Sequence, residues 1–168
     1  MPTDDSWKQL AQINEMVRYA DAKAGLVLTL NGLLIGLIAV RVQSEGFLHT
    51  HPLPAAALIL AVSFLALSVG FDLAAVMPRL VRTNGRHPSL LHFEHVGGRF
   101  ARHQDEYVEE LTAVLRDTDR LDRELGAQVW ANSVVARRKY ACVRWSLRFL
   151  AGALVATLLA AMAAVLGG

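Results

Sequence analysis

Residues 18–40 read RYADAKAGLVLTLNGLLIGLIAV, and from residue 24 onward the seventeen residues carry no charge. As an α-helix rising roughly 1.5 Å per residue they extend about 26 Å, against a bilayer hydrocarbon core of roughly 30 Å. The stretch is expected to cross a membrane with little length to spare. Asp21 and Lys23 stand at its threshold, and Asn31 lies about 12 Å beyond Lys23 along the helix. Polar groups in such a run need partners on neighbouring helices or at the membrane surface.

Two further blocks share this character. Residues 54–77 are rich in Ala, Leu, Ile, Val and Phe and hold one charge, Asp72; residues 150–166 hold none. Over the 168 residues the hydrophobic share is 54%, above the roughly 45–50% of ordinary soluble domains. The first span lacks the basic start and small-residue cleavage site of a secretory signal, so it is expected to remain as an anchor. The fold class expected is an all-α membrane protein, one domain over residues 1–168. Its spans fall near 24–42, 54–77 and 148–166, with a long helical extension over about 79–147.

Charge distribution orients these spans. Lys8, Arg18 and Lys23 precede the first span, Arg41 alone lies between the first two, and thirteen Arg and Lys lie from Arg79 to Arg148. Basic residues concentrate on the cytoplasmic side. The N-terminus and the long middle segment are therefore expected in the cytoplasm and the final residues outside, in a multi-pass protein of the cell inner membrane. The single Cys142 lies in the basic stretch and implies no disulfide framework.

Leu10, Ile13 and Val17 recur at helical spacing, so approach and first span read as one helix. Pro52 and Pro54 are expected to break the outer loop, and Pro78 to end the second span, with Arg79 and Arg82 at the headgroups. Residues 82–99 are punctuated by Asn-Gly, Pro and Gly-Gly, a connector with one helical turn expected at 89–95. From about Phe100 a long helix is expected. Tyr107, Leu111, Val114, Leu121, Leu125, Val135 and Cys142 form its apolar stripe, with Thr118, Gln128, Asn132 and Lys139 among them and a kink or break at Gly126.

Gly32 and Gly36 form a GxxxG pair, with Gly25 two turns earlier; Gly152, Ala156, Ala160 and Ala164 repeat every fourth residue in the third span. Such spacing lets helix backbones approach closely, and these seams are expected to pack the chain's own three spans, with self-association burying what they leave open. Asp72 lies about 10 Å deeper than Arg79 and is expected to pair with Arg18, Lys23 or Arg79, since an unpaired carboxylate in lipid is costly, with a polar element lining a pore or switch as the alternative. Asp21, Asn31, Gly32, Gly36, Asp72 and Gly152 are thus the candidate packing and coupling residues.

His92, His95 and His103 with Glu94 do not make a metal-binding spacing, and no metal or cofactor is expected. No phosphate-binding loop, nucleophile elbow or dinucleotide fingerprint occurs, so nothing argues for an enzyme or for a nucleic-acid partner. The basic segment ARRKYACVRWSLR, residues 136–148, fits topology setting with Trp145 as an interfacial anchor. Lys139, on the stripe with Asn132 and Gln128, also suits a small anion bearing a hydrogen-bonding base.

RYADAKAGLVLTLNGLLIG, VMPRL, SLLHFEHV, DEYVEEL and QVWANSVVARRKYACVRWSLRFLAG together resemble the transmembrane effectors of the Pycsar bacterial anti-phage systems, over nearly the whole chain and in order. The resemblance implies that a partner cyclase makes cyclic CMP or cyclic UMP on infection. The effector senses the nucleotide in the cytoplasm and impairs the membrane, producing abortive infection. A cyclic nucleotide asks for a cation at its phosphate, an aromatic face for its base and amide-type groups for the base edge. Arg18, Lys23, Arg138 and Lys139, with Tyr107, Trp130, Tyr140, Gln128 and Asn132, are the candidate ligand-binding residues. The expected assembly is a symmetric homo-oligomer in the lipid bilayer. A constitutive scaffold docking a partner protein through its cytoplasmic helix, and a small channel subunit, are the alternatives.

Overall fold

A computed structural model describes residues 2–43, 52–77 and 89–166. Among these the chain is helical, with no strand. The helices are α1 (Pro2–Val42), α2 (Pro52–Val76), α3 (Phe93–Arg99), α4 (Gln104–Arg116) and α5 (Thr118–Leu166). Three of them, α1, α2 and α5, are long and apolar enough to cross a membrane. The all-α membrane architecture is thus as the sequence predicts. Arg79, Arg82 and the outer loop over residues 44–51 lie outside the described residues.

The chain divides into two compact units, one of Met1–Tyr19 with Pro78–Arg137 and one of Ala20–Met77 with Arg138–Gly168. The second holds the apolar spans. Its core is built from one stripe of each: Val27, Leu34 and Ile38 of α1, Leu58, Ala61 and Leu65 of α2, and Leu150, Ala153, Ala156 and Ala160 of α5. Helical periodicity places these on one face per helix. The opposite faces expose Leu26, Leu33, Leu37, Ile59, Leu158 and other large apolar side chains, which suits contact with lipid acyl chains rather than water. A second small cluster, Ala24, Ala75 and Val143, packs near the other end of the same three helices.

The helix that carries the second span begins at Pro52. Pro52 and Pro54 stand in the first turn of α2, and Pro54 is buried; the outer loop that they are expected to break lies outside the described residues. Proline is at home there because first-turn N–H groups have no intrahelical acceptor to lose.

Glycines divide differently from expectation. A Cβ on Gly152 would stand 3.1 Å from the Phe64 ring, so its bare backbone is what lets α2 and α5 meet there. Around Gly25, Gly32 and Gly36 a Cβ would meet nothing within 4 Å. This α1 seam does not pack the chain's own spans: the chain has already buried the adjacent stripe of Val27, Asn31, Leu34 and Ile38. Aromatic rings add to the α2–α5 contact: Phe71 stacks on Phe149 at 5.6 Å between centroids, and Phe64 reaches the same ring at 6.2 Å.

In the first unit the core is Leu90, Phe100, Val114, Leu121 and Leu125, with Leu10, Leu91 and Tyr107 against it. The helical turn expected at 89–95 falls later, at α3. Ser89 instead opens a turn, its hydroxyl accepting from the Leu91 N–H at 3.2 Å and its carbonyl from the His92 N–H at 3.2 Å. The long helix does not run unbroken from Phe100, and its break is not at Gly126. It comes at Asp117, which is extended (φ −103°, ψ 99°), and whose Oδ1 accepts the Arg120 N–H at 3.0 Å. That is the N-cap geometry for which aspartate is suited. With a cap at residue 117, α5 continues through Gly126, whose propensity cost of about 1 kcal/mol is small against the packing of Leu121 and Leu125. Arg99 clasps α4 from outside, donating to Glu106 at 3.2 Å and Glu110 at 2.6 Å.

Candidate functional site

Within the span unit, polar residues occur at two levels. The first gathers Asp21 and Lys23 of α1 with Arg138, Lys139 and Tyr140 of α5. Lys139 Nζ donates to Asp21 Oδ1, and its side chain is only 13% exposed against 42% for Asp21. Helical rise explains why these residues meet: Asp21 and Ala24 lie one turn apart on α1, Lys139 and Val143 one turn apart on α5, and Ala24 and Val143 share a cluster. Lys23 Nζ stands over the Tyr140 ring, 5.5 Å from its centroid, a cation–π distance. Arg138 is exposed. The group thus offers two ammonium centres and an aromatic face, with one of the ammoniums engaged by a carboxylate.

The second level lies deeper in the bundle. Asn31 Nδ2 donates to Ser68 Oγ at 2.8 Å and to Asp72 Oδ2 at 3.0 Å. Ser68 Oγ in turn donates to the Ser146 carbonyl at 3.0 Å and lies 2.9 Å from the Ser146 hydroxyl. Ser146 is also close enough to Asp72 to interact with its carboxyl. Asn31, Ser68, Asp72 and Ser146 are all at 0% exposure. The expected ion pair of Asp72 with Arg18 or Lys23 is not what the structure shows. Asp72 points to Asn31 in the bundle, while Lys23 is drawn to Tyr140 and Arg18 lies 3.9 Å from Glu15; Arg79 is outside the described residues. Ser68 and Ser146 escaped sequence reading. The signal for Ser68 was its place four residues before Asp72, on the same helical face; Ser146 was hidden by the basic residues around it.

The remaining candidates belong to the first unit, and two of them have a local partner there. Tyr107 packs its ring 5.4 Å from Phe100 and donates its hydroxyl to the Leu90 carbonyl at 3.4 Å. Asn132 donates to Asn14 Oδ1 at 2.7 Å. Gln128 is buried, and Trp130 is 60% exposed. Asn14 had no sequence signal beyond being an amide on a polar face. His95 sets its ring edge-on to Phe100, with centroids 5.7 Å apart. Among the described residues no cluster of His, Cys, Asp and Glu is suited to hold a metal ion.

Residues 5–167, nearly the entire chain including both polar levels, match the Pycsar effector protein domain, PycTM. The chain belongs to the Pycsar effector family. It is also similar to a curated Pycsar effector protein, PtPycTM of Propioniciclava tarda, with 32% identity over 142 residues, which cover 82% of this chain and 68% of that protein. No solved structure matches it. Membership in the Pycsar family implies an effector of anti-phage defence, and the three apolar helices make it a multi-pass membrane protein. The Pycsar domain thus takes in both the apolar spans and the polar helices of the first unit, as the sequence resemblance implied.

Proposed function

We propose that this Pycsar effector senses cyclic CMP or cyclic UMP, made by a partner cyclase, on the cytoplasmic side of the cell inner membrane. Binding then impairs the membrane and leads to abortive infection. The reading rests most on the contact between Lys139 and Asp21. A largely buried ammonium held by a carboxylate is an anion site already filled by the protein's own anion. A cyclic nucleotide phosphate carries the same single negative charge, and beside it the Tyr140 ring and Lys23 supply a face for a base and a second cation. Nucleotide phosphate would displace Asp21 from Lys139 and so release a tie between α1 and α5.

The ligand must bind the active arrangement more tightly than the resting one; moving an equilibrium from 1:99 to 99:1 needs about 5.5 kcal/mol of difference. A homo-oligomer shares that requirement among several sites. The open α1 face at Gly25, Gly32 and Gly36 suits close helix packing between copies. The N-terminus and the first unit lie in the cytoplasm on this reading, in keeping with the concentration of Arg and Lys from Arg79 to Arg148.

The test is purified protein in liposomes, with dye leakage recorded with and without a panel of cyclic mononucleotides, alongside thermal unfolding. Leakage and a stabilising shift with cyclic CMP or cyclic UMP alone are expected. Absence of both effects overturns the reading. Leakage without any nucleotide favours a channel, and silence toward nucleotides with capture of a specific protein favours a scaffold.

A further inference from the structure

The deeper polar level is donor-poor. Both hydrogens of Asn31 Nδ2 are committed, to Ser68 Oγ and Asp72 Oδ2, the Ser68 hydroxyl is committed to Ser146, and the one Ser146 hydroxyl hydrogen is shared between Ser68 Oγ and the Asp72 carboxyl. Asn31 Oδ1 and Asp72 Oδ1 are buried and find no protein donor among the described residues. A carboxylate, an amide oxygen, two hydroxyls and a helix carbonyl therefore converge at full burial, and no described Lys or Arg pairs with Asp72. A carboxylate in a bilayer-spanning bundle without a compensating positive charge costs several kcal/mol. Among the described residues the group lacks a positive centre rather than another acceptor. Hard oxygen donors suit a hard metal cation, one carboxylate balances one charge, and complete burial favours a small ion.

We infer that Asn31, Ser68, Asp72 and Ser146 form an intramembrane site for one small monovalent metal cation of the sodium class, with Asp72 Oδ1 and Asn31 Oδ1 as its principal ligands. The ion joins α1 and α2 directly, and α5 through Ser146. It makes the stability of the span bundle depend on sodium, independently of any nucleotide. Water at the same oxygens would supply hydrogens but no charge.

Thermal unfolding of the full chain in detergent, in sodium chloride against choline chloride at equal ionic strength, tests the site. Binding to the folded state raises Tm by roughly 3–5 °C for each tenfold rise in sodium above the dissociation constant. The dependence is expected to vanish in Asp72→Asn and to weaken in Asn31→Ala. Equilibrium dialysis of the unaltered chain against radioactive sodium provides a readout that needs no variant, and about one saturable ion per chain is expected. Equal Tm in the two salts, a sodium effect that survives Asp72→Asn, or no saturable binding overturns the site. Stability that follows pH but not sodium assigns the charge to a proton and equally overturns it.

Discussion

Lys139 of α5 donates to the carboxylate of Asp21 of α1, 118 residues away in sequence. If this carboxylate stands in for a nucleotide phosphate, its two partners respond to substitution in opposite directions. Lys139→Ala is expected to weaken cyclic nucleotide binding by about tenfold or more, the scale of one charge-assisted hydrogen bond to an anion. Asp21→Asn is expected to lower the nucleotide concentration that produces leakage. Because Asp21 is 42% exposed, the pair adds little stability, and both variants are expected to insert and melt nearly as the parent does. Isothermal titration and liposome leakage read the two arms. An Asp21→Asn variant that needs more nucleotide than the parent would sink the displacement scheme.

The glycines of the spans separate fold from assembly. Gly152→Val thrusts atoms into the Phe64 ring, already 3.1 Å from where a Cβ would stand, and is expected to destabilise the bundle by about 1–3 kcal/mol. Gly36→Val meets open space. Its expected effect is an unchanged melting profile in dilute detergent but weaker self-association, read by cross-linking in membranes.

Asp117 supplies the cap that starts α5, so Asp117→Ala is expected to cost about 1 kcal/mol and Asp117→Ser much less. Circular dichroism melting of the two variants checks this. Equal losses would mean that the bond to the Arg120 N–H at 3.0 Å contributes nothing.

Asn14 and Asn132 form a 2.7 Å side-chain hydrogen bond within the first unit. Replacing either by Ala is expected to cost about 0.5–1.5 kcal/mol, and the double variant little more than one single, since both remove the same bond. Nucleotide affinity is expected to be unchanged in Asn132→Ala. A loss of affinity without a loss of stability would assign Asn132 to the ligand instead.

The sequence by itself determined the number of spans, the helical class and the family. These follow from local quantities that need no contact: the length of uncharged runs, the period of apolar residues, and motifs read in order. Residues 24–40 and 150–166 carry no charge, and no tertiary arrangement is needed to see that such helices match a bilayer. Sequence also marked Asn31, Asp72 and Lys139 as polar groups in need of partners. Which partners they took was decided only in three dimensions, because a partner depends on helix rotation and register, which no single helix encodes. Asp72 met Asn31, Ser68 and Ser146 rather than an arginine, since the rotation that buries Leu65 and Leu58 of α2 turns the same face, and with it Ser68 and Asp72, toward α1. That rotation left Gly32 and Gly36 outside while pressing Gly152 against Phe64. It is also packing against a shared core that lets α5 run through Gly126 and leaves the capping aspartate at residue 117 to set its start.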